Sequence, residues 1–138
     1  KAGTEGAEAV DPSLPVMMHL ALGGQNKEAV FWLDNMIARG VKFDLIGLSY
    51  YPRWHGTLDD LNKNLRNLAK RYKKPLIIAE YSDFKKEVHD IVFHLPDELG
   101  KGACIWEPLN FWSGLFTRNN EATNRFAIYD SLAIKYLK

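Results

Sequence analysis

Apolar residues gather along this chain in four short runs: Val16–Leu22 (VMMHLAL), Asp44–Tyr50 (DLIGLSY), Leu76–Glu80 (LIIAE) and Ala103–Glu107 (ACIWE). Each is too short for a helix, and three follow turn material: Pro12 with Pro15, Lys74-Pro75, and Gly100-Lys101-Gly102. Near-continuous hydrophobicity is the pattern of parallel strands covered on both faces. Between the runs the period changes to that of a helix. Leu58, Leu61, Leu65, Leu68 and Tyr72 make one apolar stripe, while Asp59, Asn62, Lys63, Arg66, Lys70 and Arg71 fall elsewhere. Thr57 and Asp60 have the spacing of a capping box, with Asp in the usual Glu position. Further helices are expected over Asn26–Arg39 with a stop at Gly40, over Phe84–His94 and over Glu121–Leu137. Thr4–Val10 reads as the tail of another, ended by Asp11-Pro12.

The runs recur about every 30 residues, which describes stacked βα units. Two architectures fit that order: an open doubly wound sheet, or part of a (β/α)8 barrel. A whole barrel takes about 250 residues, and this chain has 138. Length alone favours the open sheet; the residues at the strand ends favour the barrel. Those ends carry His19, then Ser49-Tyr50-Tyr51-Pro52-Arg53-Trp54-His55, then Glu80-Tyr81-Ser82, then Trp106-Glu107-Pro108. In a βα barrel the chemistry collects at the C-terminal ends of the strands. Carboxylates beside aromatic rings and short polar groups are what a glycosidase needs: the first do the chemistry, the rings stack on sugars, and the polar groups bond hydroxyls.

Composition narrows the alternatives. Lysine plus arginine number 18 against 17 acidic residues, for a net charge of +1, so no basic excess exists to neutralise a nucleic acid. Gly23-Gly24 has neither the Rossmann nor the Walker spacing, which weakens phosphate and dinucleotide binding. A single cysteine, Cys104, excludes an intrachain disulfide framework, and its apolar strand suggests a buried small hydrophobe. His89 and His94 lack the i, i+4 spacing of a helical metal pair, and neither a metal nor another cofactor is expected. The apolar runs are far shorter than a membrane span, and the opening KAGTEGAEAVDPS has no apolar core of a signal peptide.

The strings themselves resemble glycoside hydrolase family 53, the arabinogalactan endo-β-1,4-galactanases. MMHLALGG (Met17–Gly24) is similar to the fifth strand of that family, and GLSYYPRWHGTLDDL (Gly47–Leu61) to the sixth. KPLIIAEYS (Lys74–Ser82) corresponds to the seventh and IWEPL (Ile105–Leu109) to the eighth. SYYPxWHG is a specific signal, whereas an AEY ending is shared by many barrel glycosidases. The resemblance implies the C-terminal half of a (β/α)8 barrel of the retaining type, with residues 1–138 as one partial-barrel domain. Glu80 would then be the nucleophile, forming a covalent glycosyl-enzyme intermediate. It also implies substrate contacts from His19, Ser49, Tyr51, Trp54, His55, Trp106 and Glu107, a β-1,4-linked galactan as substrate, and a secreted or periplasmic location.

Residue by residue, plainer roles compete. Glu80 would otherwise end its strand at the surface or pair with a lysine. Tyr50 and Tyr51 alternate, so one at most faces the barrel mouth; the resemblance implies a strand-six tyrosine bonding the nucleophile, a role it gives to Tyr51. Trp54 and His55 lie in a loop, where ligand-facing rings are common. His19 stands among apolar neighbours, where a satisfied core histidine is the alternative; for Trp106 it is a core tryptophan facing the helices. Phe111 and Trp112 could form an outer sugar platform. The family's acid/base is a glutamate after an asparagine at the end of strand four, and no Asn-Glu precedes the first strand here. The one such pair, Asn120-Glu121, lies beyond the fourth strand. Glu107 is the nearest substitute, yet it matches a strand-eight position where the acid/base does not reside. The chain alone is therefore expected to hydrolyse little or nothing, and to pair with an N-terminal half or with a second copy, because four units leave two open sheet edges. Nucleic acid and membrane are not expected partners. A non-catalytic carbohydrate-binding half barrel is the alternative function.

Overall fold

A computed structural model describes residues 1–137. Lys138, the last residue of the expected domain, lies outside the described residues. Four strands, β1 (Met17–Leu20), β2 (Leu45–Tyr50), β3 (Leu76–Tyr81) and β4 (Gly100–Ile105), form one sheet. All three pairings are parallel and the spatial order is the chain order. A doubly wound sheet reverses direction at a switch point; this sheet never does, so every crossover advances the same way around a barrel.

The helices are α1 (Ala2–Val10), α2 (Asn26–Ala38), the single turn α3 (Pro52–His55), α4 (Leu58–Tyr72), α5 (Lys85–Phe93) and α6 (Ala127–Tyr136). Gly40, at φ 68°, closes the turn after α2 as its position suggested. Thr57 Oγ1 accepts the Asp60 N–H at 3.2 Å while Asp60 Oδ2 accepts the Thr57 N–H at 2.9 Å, so the capping box forms with aspartate in the glutamate position. These bonds hold the Asp60 carboxyl below its usual range. Below the cap, Leu61, Leu65 and Leu68 are fully buried against Ile46, Leu48, Tyr50, Leu76 and Ile78 of the sheet. Ala29 and Leu33 from α2, with Val88 and Val92 from α5, complete this layer.

Among the described residues the helices α2, α4 and α5 pack on that face. In β1 the exposed positions are Met17 and His19, which alternate with Met18 and Leu20 on the helix side. Cys104 is exposed rather than buried. Its neighbours Ala103 and Ile105 pack on the helix layer, so alternation sends Cys104 to the uncovered face.

Two boundaries differ from the sequence pattern. The fourth strand starts at Gly100, not after Gly102, and ends at Ile105, leaving Trp106 and Glu107 beyond it. Gly100 serves close packing: a Cβ there would lie 1.8 Å from the Val92 carbonyl oxygen. The last helix starts at Ala127 instead of Glu121. Ala122 bridges to Phe116, Thr123 Oγ1 donates to the Gly114 carbonyl at 2.7 Å, and a 3-10 turn follows at Asn124–Phe126.

The α6 helix is tied to α5 at one carboxylate. Asp90 accepts from Tyr136 Oη at 2.5 Å and pairs with Lys86 at 2.6 Å and Lys135 at 2.9 Å. Those donors depress the Asp90 carboxyl strongly, and Phe93 stacks on Tyr136 with ring centroids 4.5 Å apart.

One irregularity fixes the functional end of the sheet. Leu48 pairs with Ile78, but the next residue, Ser49, pairs with Glu80. On the other side Ile78 pairs with Ala103 and Tyr81 with Ile105, so Ala79 and Glu80 together oppose Cys104 alone. This is a β-bulge with one extra residue in β3.

Thr57→Ala removes the cap of α4 and is expected to destabilise the protein by about 1 kcal/mol, with Thr57→Ser close to wild type. Denaturant unfolding of the two variants measures this.

Candidate active site

The bulge decides which way Glu80 points. Leu76 and Ile78 are fully buried on the helix side, and strict alternation would send Glu80 after them. The extra residue reverses the phase: Tyr81 becomes fully buried, and Glu80 joins Ser49 on the opposite face.

There Glu80 meets two hydroxyl donors. Ser49 Oγ and Tyr51 Oη each donate to Glu80 Oε2 at 3.1 Å. His19 Nε2 lies 2.8 Å from Ser49 Oγ and 4.0 Å from Glu80 Oε1. Since the one Ser49 hydrogen goes to Glu80, the His19 Nε2 must carry the hydrogen shared with Ser49 Oγ. Side chains from β1, β2 and β3 thus converge on one partly buried carboxylate. The Tyr51 phenol is pushed far up, first by burial and then by the Glu80 hydrogen bond and the charges of Glu80 and Glu107. It therefore stays protonated, and a donor, well above neutral pH.

The remaining expected residues divide. Trp54 is exposed, with its ring edge-on to Tyr51 at 5.9 Å and Arg53 over it at 5.7 Å. Trp106 stands just past β4, its N–H donating to the Tyr81 carbonyl at 2.8 Å, and its ring is exposed rather than packed under the helices. Glu107 is exposed in the following loop, at φ 43°. Its Oε2 accepts from Asn110 Nδ2 at 3.2 Å and Trp112 Nε1 at 3.3 Å, so the carboxylate orients the loop that carries Trp112. Glu121, of the Asn-Glu pair, is exposed in the turn after β4.

His55 departs from the expectation of a sugar-facing ring. It is buried, and its Nδ1 accepts the Tyr51 N–H at 3.0 Å. The turn rolls inward because Gly56, at φ 82°, ends α3 and the Tyr50 hydroxyl donates to the Gly56 carbonyl at 3.1 Å. Gly23-Gly24 also acquires a role that phosphate-motif spacing did not disclose. A Cβ on Gly24 would fall 1.9 Å from the His55 carbonyl oxygen, and the Gly23 N–H donates to the Ser49 carbonyl at 3.0 Å. Among the described residues no cluster of three His, Cys, Asp or Glu side chains is placed to hold a metal ion. None of their helices is long and apolar enough to cross a membrane.

The model of glycosyl hydrolase family 53 matches residues 1–98. The chain belongs to glycosyl hydrolase family 53. An uncharacterized protein from the bgaB 5′ region of Niallia circulans is 35% identical over 141 residues, covering 78% of this chain and 38% of that protein. The probable arabinogalactan endo-β-1,4-galactanase A of Neosartorya fischeri is 31% identical over 97 residues, covering 65% of this chain and 27% of its own. An endo-β-1,4-galactanase of Bacillus subtilis is 32% identical over 81 residues, 56% of this chain and 19% of the enzyme. Among solved structures, the GH53 catalytic domain of Ignisphaera aggregans superimposes with a TM-score of 0.83 at 21% identity, covering 95% of this chain and 50% of that domain. The chain therefore spans less than two-fifths of these curated relatives and half of that family 53 domain. Its four βα units are half of a (β/α)8 barrel.

Tyr51→Phe removes one of the two donors to Glu80 while keeping the ring. A hydrogen bond to a charged group is worth about 1.5–3 kcal/mol, so turnover by a complete family 53 barrel carrying this site is expected to fall about 10–100-fold. Steady-state kinetics of the variant, with KM changing much less than kcat, measures it.

Proposed function

We propose that this chain is the nucleophile-bearing half of a retaining endo-β-1,4-galactanase. The observation that supports this reading most is the pair of hydroxyls from Ser49 and Tyr51 on Glu80 Oε2, at the C-terminal rim of the sheet. Two donors on one oxygen fix the carboxylate in rotation. Oε1 lies 4.0 Å from His19 Nε2 and takes no hydrogen bond among the described residues, which leaves it free to react. Glu80 Oε1 attacks the anomeric carbon of a galactosyl unit, the glycosidic C–O bond breaks, and a carboxylic acid protonates the departing oxygen. Water then attacks the glycosyl ester, the second carboxylate takes its proton, and Glu80 is released.

The second carboxyl group must stand about 5–5.5 Å from the first. It is assigned to the other half of the barrel, at the end of its fourth strand. Glu107 is engaged by Asn110 and Trp112, and Glu121 lies in the turn beyond β4. Trp54, Trp106 and Trp112 present exposed rings around the same rim, suited to the apolar faces of a β-1,4-linked galactan such as the relatives' names specify. His19 and Ser49 offer hydrogen bonds to its hydroxyls. A polymeric substrate of that kind is met outside the cell, which supports a secreted or periplasmic location. The 138 residues act as one partial-barrel domain whose partner is the N-terminal half, supplied by the same chain, by another, or in its place by a second copy.

The decisive experiment uses an activated 2-deoxy-2-fluoro-β-galactoside, whose leaving group departs without acid assistance. The complete barrel enzyme should gain the mass of one fluorosugar, mapped to Glu80, and Glu80→Gln should lose more than about 10³-fold in turnover. A label on another residue, or normal turnover by Glu80→Gln, overturns the assignment. These 138 residues alone should retard in galactan-loaded gels without releasing reducing ends.

A further inference from the structure

The turn from Tyr51 to Gly56 is built around an acceptor that no ladder supplies. The β2–β3 register ends at Tyr50 with Tyr81, so the N–H of Tyr51 has no strand partner. A partly buried backbone donor of this kind needs an acceptor, and the one it has is His55 Nδ1 at 3.0 Å. Everything else about the turn holds His55 in place. Gly24 presses on its carbonyl too closely for a side chain. Gln25 Nε2 donates to the Trp54 carbonyl at 2.8 Å, and the Tyr50 hydroxyl holds the Gly56 carbonyl at 3.1 Å. The ring of His55 lies 5.8 Å from that of Tyr51, which donates to Glu80.

We propose that His55 is a positioning residue for Tyr51: its neutral imidazole fixes the backbone that aims the phenol at Glu80, and protonation releases that hold. The proposal rests on Glu80 being the nucleophile. Neutral imidazole accepts through one nitrogen, whereas imidazolium only donates, so a protonated Nδ1 would face the Tyr51 N–H hydrogen to hydrogen. The charged and titratable groups nearby are few. Asp60, at the start of α4, is consumed by the Thr57 cap, and Arg53 lies over the Trp54 ring. His19 on β1 bonds Ser49. Tyr50 and Tyr51 stay neutral, both pushed up chiefly by burial. Burial dominates and lowers His55; the Ser49 carbonyl and, less, the charge of Glu80 on β3 favour its protonation without prevailing, so His55 titrates below its usual value. A histidine depressed in the fold contributes stability above about pH 6.5 and withdraws it as the pH falls.

The test is made in the complete enzyme with two variants. In His55→Asn the amide oxygen stands where Nδ1 stood and does not titrate; His55→Leu offers no acceptor. His55→Leu should lower kcat about tenfold or more with KM nearly unchanged, and the Tyr51 amide should exchange its hydrogen faster. His55→Asn should recover kcat to within about threefold of wild type, restore protection of that amide, and move the acid limb of the kcat profile to lower pH. Equal loss in both variants, or an acid limb that does not move in His55→Asn, overturns the proposal. Amide exchange at Tyr51 reads the brace without catalysis. If Glu80→Gln keeps normal turnover while the two His55 variants still differ in protection, the nucleophile reading fails and the brace stands. If the variants do not differ in protection, the brace itself is wrong.

Discussion

One extra residue in β3 decides what the rest of this half barrel can do. Strand geometry allows a side chain two choices, in or out, and a run as apolar as LIIAEY offers nothing else to select between them. By inserting Ala79 between the pairs Leu48–Ile78 and Ser49–Glu80, the chain turns a carboxylate away from the helix layer and puts a tyrosine there. Both consequences matter energetically. An ionised carboxylate under α4 and α5 would be unpaired among leucines and valines, a placement that costs several kcal/mol. Tyr81 fits that layer because its hydroxyl reaches Tyr129 Oη at 2.8 Å and its ring meets His89 edge-on at 5.6 Å.

The same exchange couples the site to the last helix. Tyr129 lies on α6, and α6 is otherwise held through Asp90, Tyr136 and the Phe93 stack on α5. The position of Glu80 is therefore set from both ends: by the hydroxyls of Ser49 in β2 and Tyr51 just after it on the carboxylate, and by the anchoring of its neighbour beneath the sheet. The turn after β2 works by the same logic. Close glycine contacts from the loop after β1 hold it, so the side chains on Glu80 depend on backbone approaches where no larger residue fits.

How much of this could be read from the residues alone follows from the range of the interactions. The α4 helix was legible to its cap because the Thr57–Asp60 box and the leucine stripe are local and use standard spacings. The four strands and their parallel arrangement follow from apolar runs separated by helices, and the convergence of His19, Ser49, Tyr51 and Glu80 follows from their common place at strand ends. The bulge was not legible, since Ala79 differs in no local property from its neighbours and only the register against two other strands reveals it. Gly100 and Gly102 resemble a turn in sequence, whereas Gly100 meets its requirement from Val92, on another element. Cys104 looks like a core residue by its neighbours because alternation cannot tell which face is covered. His55 carries the same lesson: loop residues are exposed on average, and its burial comes from Gly24, more than thirty positions earlier in the chain.

The uncovered face explains why chemistry and folding cannot be separated here. A strand face carrying Met17, His19, Ser49, Glu80 and Cys104 is too polar at one end and too apolar at the other to be an ordinary solvent surface. In a closed barrel the apolar end becomes core, while the polar end becomes the floor of a cleft from which much of the water is excluded. Exclusion strengthens the hydrogen bonds to Glu80, since electrostatic interactions grow as the local dielectric falls. On the proposed galactanase reading, the other half of a barrel would contribute more than a second carboxyl group. It would remove the solvent that weakens the Ser49 and Tyr51 contacts, and by pairing with the edges of β1 and β4 it would fix the distance across which two carboxyl groups cooperate.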